Sequence, residues 1–252
     1  MIEVLILSFI QGVTEFIPVS SSSHLILISN FLDFDDKGLA IDVSLHIGSF
    51  LGILFYFRKD IFNFFQNKEL FFKIFISSVP VLIVGFLLIQ TNIVDRIRNI
   101  EVIAWTTIIF GVLLYFSDKF KLNNKLEENF SIKSAIIIGV FQILSLVPGV
   151  SRSGITITAA RILNFNRLDS AKISFLMSIP TLGAVSIFGL KNIITSPDIN
   201  FSILNFISIF FSFLFSLLTI KYFLDFLKKF NLNFFVFYRI TLGIILLFIS
   251  SL

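Results

Sequence analysis

Residues 11 to 24 read Gln11-Gly12-Val13-Thr14-Glu15-Phe16-Ile17-Pro18-Val19-Ser20-Ser21-Ser22-Ser23-His24. This loop interrupts an apolar region that runs from residue 2 to residue 32. The leg before it, residues 2 to 11, would reach only ~15 Å as a helix, about half the hydrocarbon thickness of a bilayer. Such a leg enters and turns back more naturally than it crosses. A second apolar region, residues 134 to 163, is broken in the same way by Pro148-Gly149-Val150-Ser151-Arg152-Ser153-Gly154. Both regions therefore read as re-entrant helical hairpins.

Around the hairpins lie six apolar runs long enough to cross a membrane, near residues 40–57, 74–91, 101–116, 170–190, 202–220 and 234–251. The expected fold is all-α and integral to the membrane: six transmembrane helices plus two re-entrant hairpins, in a single membrane domain over residues 1–252. Composition points the same way, because 56% of the residues are hydrophobic and only 14% charged, more apolar surface than a soluble domain can expose. The 35 Phe are explained most simply by a nucleotide-composition bias. The absence of Cys excludes disulfides and thiolate metal sites. Met1-Ile2-Glu3-Val4 lacks the basic start of a signal peptide, so the first segment is expected to remain in the mature protein. The net charge of +4 forms no basic stripe, and a nucleic-acid partner is not expected.

The basic residues instead mark sidedness, since Lys and Arg are retained in cytoplasmic loops. Thirteen fall in one set of connections: Arg58, Lys59, Lys68, Lys73, Lys119, Lys121, Lys125, Lys133, Arg167, Lys172, Lys221, Lys228 and Lys229. The intervening connections hold only Lys37, Arg96, Arg98 and Lys191. Six crossings put these sets on opposite faces, with both termini away from the cytoplasm. A hairpin followed by three crossings then occurs twice, once over about residues 1–116 and once over about 134–252, with a cytoplasmic loop at 117–133 between them. The halves begin on opposite sides, which is an inverted-topology repeat. Sliding the chain by 131 residues aligns Gln11 with Gln142, Thr14 with Ser145, Val19 with Val150, Ser20 with Ser151 and Ser22 with Ser153. In such proteins the broken elements meet near the midplane and form the site there.

The interruptions also hold the reactive groups. Gln11 and Glu15, four apart, share a helix face. An arginine at membrane depth is expensive, so Arg152 should have an anionic partner or ligand. Glu15 alone would serve as a structural partner. Yet Ser151 and Ser153 add hydroxyls, Gly149 and Gly154 free backbone N–H groups, and a helix is expected to begin near Ile155; together these describe a phosphate cradle. Ser20 to Ser23 would cap the following helix near His24 even without a chemical role. His24, three residues beyond Ser21, is placed to activate that hydroxyl, and phosphoryl transfer needs a nucleophile, a proton carrier and charge stabilisation. Glu15 would either bind a divalent cation bridging phosphate oxygens or accept a proton. His46, in an apolar run beside Gly48 and Gly52, either faces the site or bonds a neighbouring helix.

At these residues the chain resembles the undecaprenyl-diphosphate phosphatase family of the bacitracin-resistance type, nearly end to end. The stretches Gln11 to Ser21 with His24, and Pro148 to Gly154, carry the resemblance. Leu45-His46-Ile47-Gly48, Tyr56-Phe57-Arg58-Lys59-Asp60 and Ser174-Phe175-Leu176-Met177-Ser178-Ile179-Pro180 support it. The resemblance implies hydrolysis of undecaprenyl diphosphate to the monophosphate, which recycles the lipid carrier of cell-wall precursors in the bacterial cytoplasmic membrane and gives bacitracin resistance. It implies a divalent metal, magnesium or calcium, and a pocket opening to the outer face. By position it makes Glu15 the essential acid, Ser21 the proposed nucleophile, His24 the catalytic histidine and Arg152 the phosphate-binding arginine. Ser20, Gly149, Ser151 and Ser153 would contact phosphate, with Gln11 and Thr14 in support. Gln11 stands where many members have a second glutamate, which weakens a two-carboxylate metal site, and Ser23 replaces a frequent glycine. Another membrane lipid-phosphatase class carries a histidine six residues after its Ser-Arg arginine. Here that position is Thr158, and no histidine follows His46. Inverted repeats also suit a lipid transporter or flippase, which needs a binding site but no nucleophile, and a structural membrane subunit with a polar core is a third reading. Ser21, His24 and metal-bound water all stay open as the attacking group, and a homodimer is one assembly open to the chain.

Overall fold

The computed structural model describes residues 1–31, 38–64, 68–89, 91, 97–120, 124–195 and 202–251. Lys37, Arg96 and Lys121 of the charge pattern lie outside these residues. The described chain is helical, and its elements are α1 (Ile2–Thr14), α2 (Ser21–Phe31), α3 (Gly38–Tyr56), α4 (Arg58–Phe64), α5 (Lys68–Ile89), α6 (Ile100–Asp118), α7 (Leu126–Asn129), α8 (Ile132–Ile143), α9 (Arg152–Ile162), α10 (Arg167–Thr195), α11 (Ile203–Leu227) and α12 (Asn233–Ser250). A short 3₁₀ turn, Leu144–Leu146, extends α8. Its one β-type pairing among the described residues is an isolated bridge between Asn124 and Phe165.

Five of these helices, α5, α6, α10, α11 and α12, are long and apolar enough to cross a membrane. Their exposed side chains include Phe75, Phe86, Trp105, Ile187, Phe206 and Phe248, a surface that only lipid can solvate. The chain is thus a multi-pass membrane protein. The run expected at 40–57 forms α3, whose apolar part, Ala40–Tyr56, is shorter than the five. Both interrupted regions fold as helix, loop and helix: α1 with α2, and α8 with α9.

Packing follows a paired scheme. The helix α1 lies on α11 as α8 lies on α5, α3 packs on α10, and α6 packs on α12. Without a hydrophobic drive between helices in lipid, such contacts depend on small residues and cross-helix hydrogen bonds. The α3–α11 contact has both. Ser49 shares hydrogen bonds with Ser212 at 3.1 Å and Ser216 at 3.1 Å, while a side chain added at Gly48 would meet Ile209 O at 2.5 Å.

The first hairpin is seated the same way. A Cβ at Gly12 would stand 2.5 Å from Phe215 Cβ and 2.9 Å from Ser216 N, which are held by the α11 backbone. Gly12→Ala should therefore lower stability by about 1–3 kcal/mol, the usual cost of overpacking. Gly85→Ala makes the control, because its Cβ would meet only Leu146 Cδ2, at 3.5 Å. Thermal unfolding in detergent should show a clear fall for the first and little change for the second.

Candidate functional site

The loops between the paired helices contact each other. Each begins its second helix on a serine with positive φ: Ser20 at 78° and Ser151 at 69°. A non-glycine residue there is strained, by roughly 1–3 kcal/mol, and persists only where its surroundings hold it. The 131-residue shift aligns these two serines with each other. The left-handed turn starts both helices earlier than the sequence indicates. The helix expected near His24 begins at Ser21, and that expected near Ile155 begins at Arg152. Ser151 Oγ accepts from Gly154 N at 3.1 Å, capping α9 and leaving Arg152 as its first residue.

The two tips are joined by an ion pair. Arg152 Nη2 donates to Glu15 Oε1 at 2.7 Å, with both side chains largely buried, and Arg152 Nη1 donates to Ser174 O at 3.2 Å. The other carboxylate oxygen, Oε2, accepts from Ser21 Oγ at 2.7 Å and from Gln11 Nε2 at 3.2 Å. The shared face expected for Gln11 and Glu15 is thus present. Ser21 bonds Glu15, not the histidine that its spacing suggested. His24 is engaged elsewhere: Nδ1 lies 2.6 Å from Ser20 O and Nε2 lies 2.5 Å from Tyr238 Oη. A carbonyl can only accept, so Nδ1 carries the proton and Nε2 accepts from the tyrosine. The two rings stack at 5.7 Å.

The remaining expected residues sit at the junction in other ways. Ser153 Oγ donates to Ile17 O at 2.8 Å and lies 3.2 Å from Ser151 Oγ, so these hydroxyls tie one tip to the other. Ser20 Oγ closes its own turn on Ser23 Oγ at 3.0 Å, and Thr14 Oγ1 bonds back to Ile10 O at 2.6 Å. Gly149, at φ 92°, takes a conformation that favours glycine, and its neighbour Pro148 accepts from Thr106 Oγ1 at 2.6 Å. Ser20, Ser151 and Ser153 are buried, whereas Ser21, His24 and Arg152 are only partly so.

Two buried polar atoms near the carboxylate lack a hydrogen bond: Gln11 Oε1 and His46 Nδ1. His46 lies close enough to Glu15 to act on it electrostatically. Sequence reasoning passed over Tyr238 and Arg239. Arg239 is fully buried and donates to Pro18 O, Gly149 O and Val150 O. A lone basic residue in the middle of the apolar run 234–251 was the available signal. A separate groove beside Tyr115, Asp118, Arg161 and Arg167 lies away from the tips; there Asp118 accepts from Arg167 Nε at 2.7 Å and Leu232 N at 3.0 Å.

Comparison with known proteins places this sequence among relatives. The family described as "Bacitracin resistance protein BacA" matches residues 4–245. A protein of Pelagibacter ubique named "Undecaprenyl-diphosphatase" is 49% identical over 98% of this chain and 97% of its own length. Proteins with the same name from Jannaschia sp. and Campylobacter curvus are 38% and 39% identical, each over at least 97% of both chains.

Proposed function

The chain belongs to the bacitracin resistance protein BacA family, and from that premise we propose that it hydrolyses undecaprenyl diphosphate to undecaprenyl phosphate and inorganic phosphate. The observation that carries the reading is the chain of contacts from Ser21 through Glu15 to Arg152, which draws a hydroxyl, a carboxylate and a planar cation from separate hairpins into one cluster. A transporter needs no such hydroxyl, and the relatives carry the phosphatase name.

In the finer architecture, six crossings and two re-entrant hairpins form an inverted repeat with its pocket toward the outer face. The paired packing of α1 on α11 and α8 on α5, and the matched positive φ of Ser20 and Ser151, support the repeat. The concentration of Lys and Arg in the opposite set of loops supports the orientation.

In the reaction, Arg152 turns from Glu15 to the terminal phosphoryl group, where its fork matches two oxygens. Ser21 Oγ forms a bond to that phosphorus as its proton passes to Glu15 Oε2. The bond from phosphorus to the bridging oxygen breaks, and the lipid leaves as the monophosphate. Water then attacks the phosphoserine and gives a proton to His24 Nε2, the bond from phosphorus to Ser21 Oγ breaks as Glu15 returns its proton to Ser21, and His24 releases its proton to solvent as inorganic phosphate departs. The donors for a divalent cation are Glu15 and the unpartnered Gln11 Oε1, both hard oxygen ligands. These oxygens would suit magnesium or calcium, both hard cations, and among the described residues no group of three His, Cys, Asp or Glu could hold an ion alone. Bound there, the ion would neutralise charge on the diphosphate.

Substrate labelled in the terminal phosphate tests the nucleophile. A rapid quench of the His24→Asn variant should trap label on Ser21, and the Ser21→Ala variant should trap none. Label on His24 in the wild type, or hydrolysis by Ser21→Ala at the wild-type rate, would rule Ser21 out.

A further inference from the structure

Arg239 is the largest fully buried side chain among the described residues, and its bonding differs from that of the buried Arg161 and the partly buried Arg152. Arg152 is paired with Glu15 and Arg161 with Asp118, at 2.7 Å and 3.3 Å. Arg239 has no carboxylate within ion-pair distance among the described residues. Its partners are backbone carbonyls: Nε donates to Thr107 O at 3.2 Å, Nη1 to Pro18 O at 3.2 Å, and Nη2 to Gly149 O at 2.9 Å and Val150 O at 3.1 Å. Burying an unpaired charge in a membrane protein is costly, and such a residue is functional by default.

The identity of those carbonyls says what the cost achieves. Pro18 lies two residues before Ser20 in the first tip, and Val150 two residues before Arg152 in the second. One rigid guanidinium thereby fixes the distance between the loop carrying Ser21 and the loop carrying Arg152, while Thr107 anchors both to α6. The fit is close, since a Cβ at Gly154 would stand 2.8 Å from Arg239 Nη1. The preceding residue, Tyr238, holds His24 Nε2, so adjacent positions of α12 orient three of the reactive groups.

We infer that Arg239 is the positioning residue of the diphosphate site: its fork holds the two tips in register, and its charge, balanced by no carboxylate, favours the diphosphate anion beside Arg152. The inference rests on the proposed hydrolysis, which phosphate release by the wild type tests separately. Lysine keeps the charge but loses the planar fork, and methionine loses both. Arg239→Lys should therefore keep KM within about threefold and lose roughly 10²-fold in kcat, as expected for a misplacement on the order of 1 Å. Arg239→Met should lose kcat and also raise KM. Turnover is taken per folded molecule, from the ligand-free unfolding transition of each variant in detergent. Wild-type kcat and KM in Arg239→Lys, with only a lower unfolding temperature, would reduce the residue to a structural one and overturn the inference. If Arg239→Met is not recovered folded, the split between kcat and KM in Arg239→Lys decides alone.

Discussion

Arg152→Ala is expected to lower phosphate release by roughly 10³-fold, the loss typical when a cation that stabilises phosphoryl-transfer charge is removed. In the ligand-free protein this guanidinium spans Glu15 Oε1 and Ser174 O, so it already stands at the junction where the proposed reaction would place the substrate. Removing it also leaves Glu15 buried without its counter-ion, which costs stability on the order of 3–5 kcal/mol. The two effects separate when turnover is referred to the folded fraction. Arg152→Lys keeps a cation while giving up bidentate contact, and should fall between alanine and wild type. If alanine lost stability but kept turnover per folded molecule, Arg152 would be a structural partner of Glu15 and nothing more.

Glu15→Gln is expected to lower kcat by about 10²–10⁴-fold, the range for loss of a positioned proton acceptor. The amide matches the carboxylate in size and still accepts from Ser21, so the fold should survive. What goes is the negative charge and the capacity to take the hydroxyl proton. The change also frees Arg152 from a competing anion. KM should therefore stay level or fall while kcat drops, the signature of an interaction made in the transition state. A rise in KM with kcat unchanged would assign Glu15 to substrate binding alone.

Much of this arrangement was legible in the sequence because lipid makes polar interruptions conspicuous. Glu15, Ser21 and His24, and Arg152, stood out within regions otherwise too apolar to leave them exposed, and a helical spacing of four gave the Gln11–Glu15 contact. The helix starts at Ser21 and Arg152 were not legible, since the left-handed turns at Ser20 and Ser151 are held by the packing of one tip on the other. Once α2 begins at Ser21, the serine hydroxyl points to Glu15 and the His24 ring is taken by Ser20 and Tyr238. Spacing along the chain alone had paired Ser21 with His24. The part of Arg239 was hidden for a different reason. Its partners are main-chain carbonyls distant in sequence, which no side-chain pattern announces.

Whether the two tips act as one site is measured by a double-mutant cycle on phosphate release. Purified wild type, Glu15→Gln, Arg152→Ala and the double variant are each given undecaprenyl diphosphate and magnesium in detergent. Residues that work as a unit are strongly non-additive. The double variant should therefore lose little more than the worse single variant. Losses that multiply, or a wild type that releases no phosphate, would contradict it.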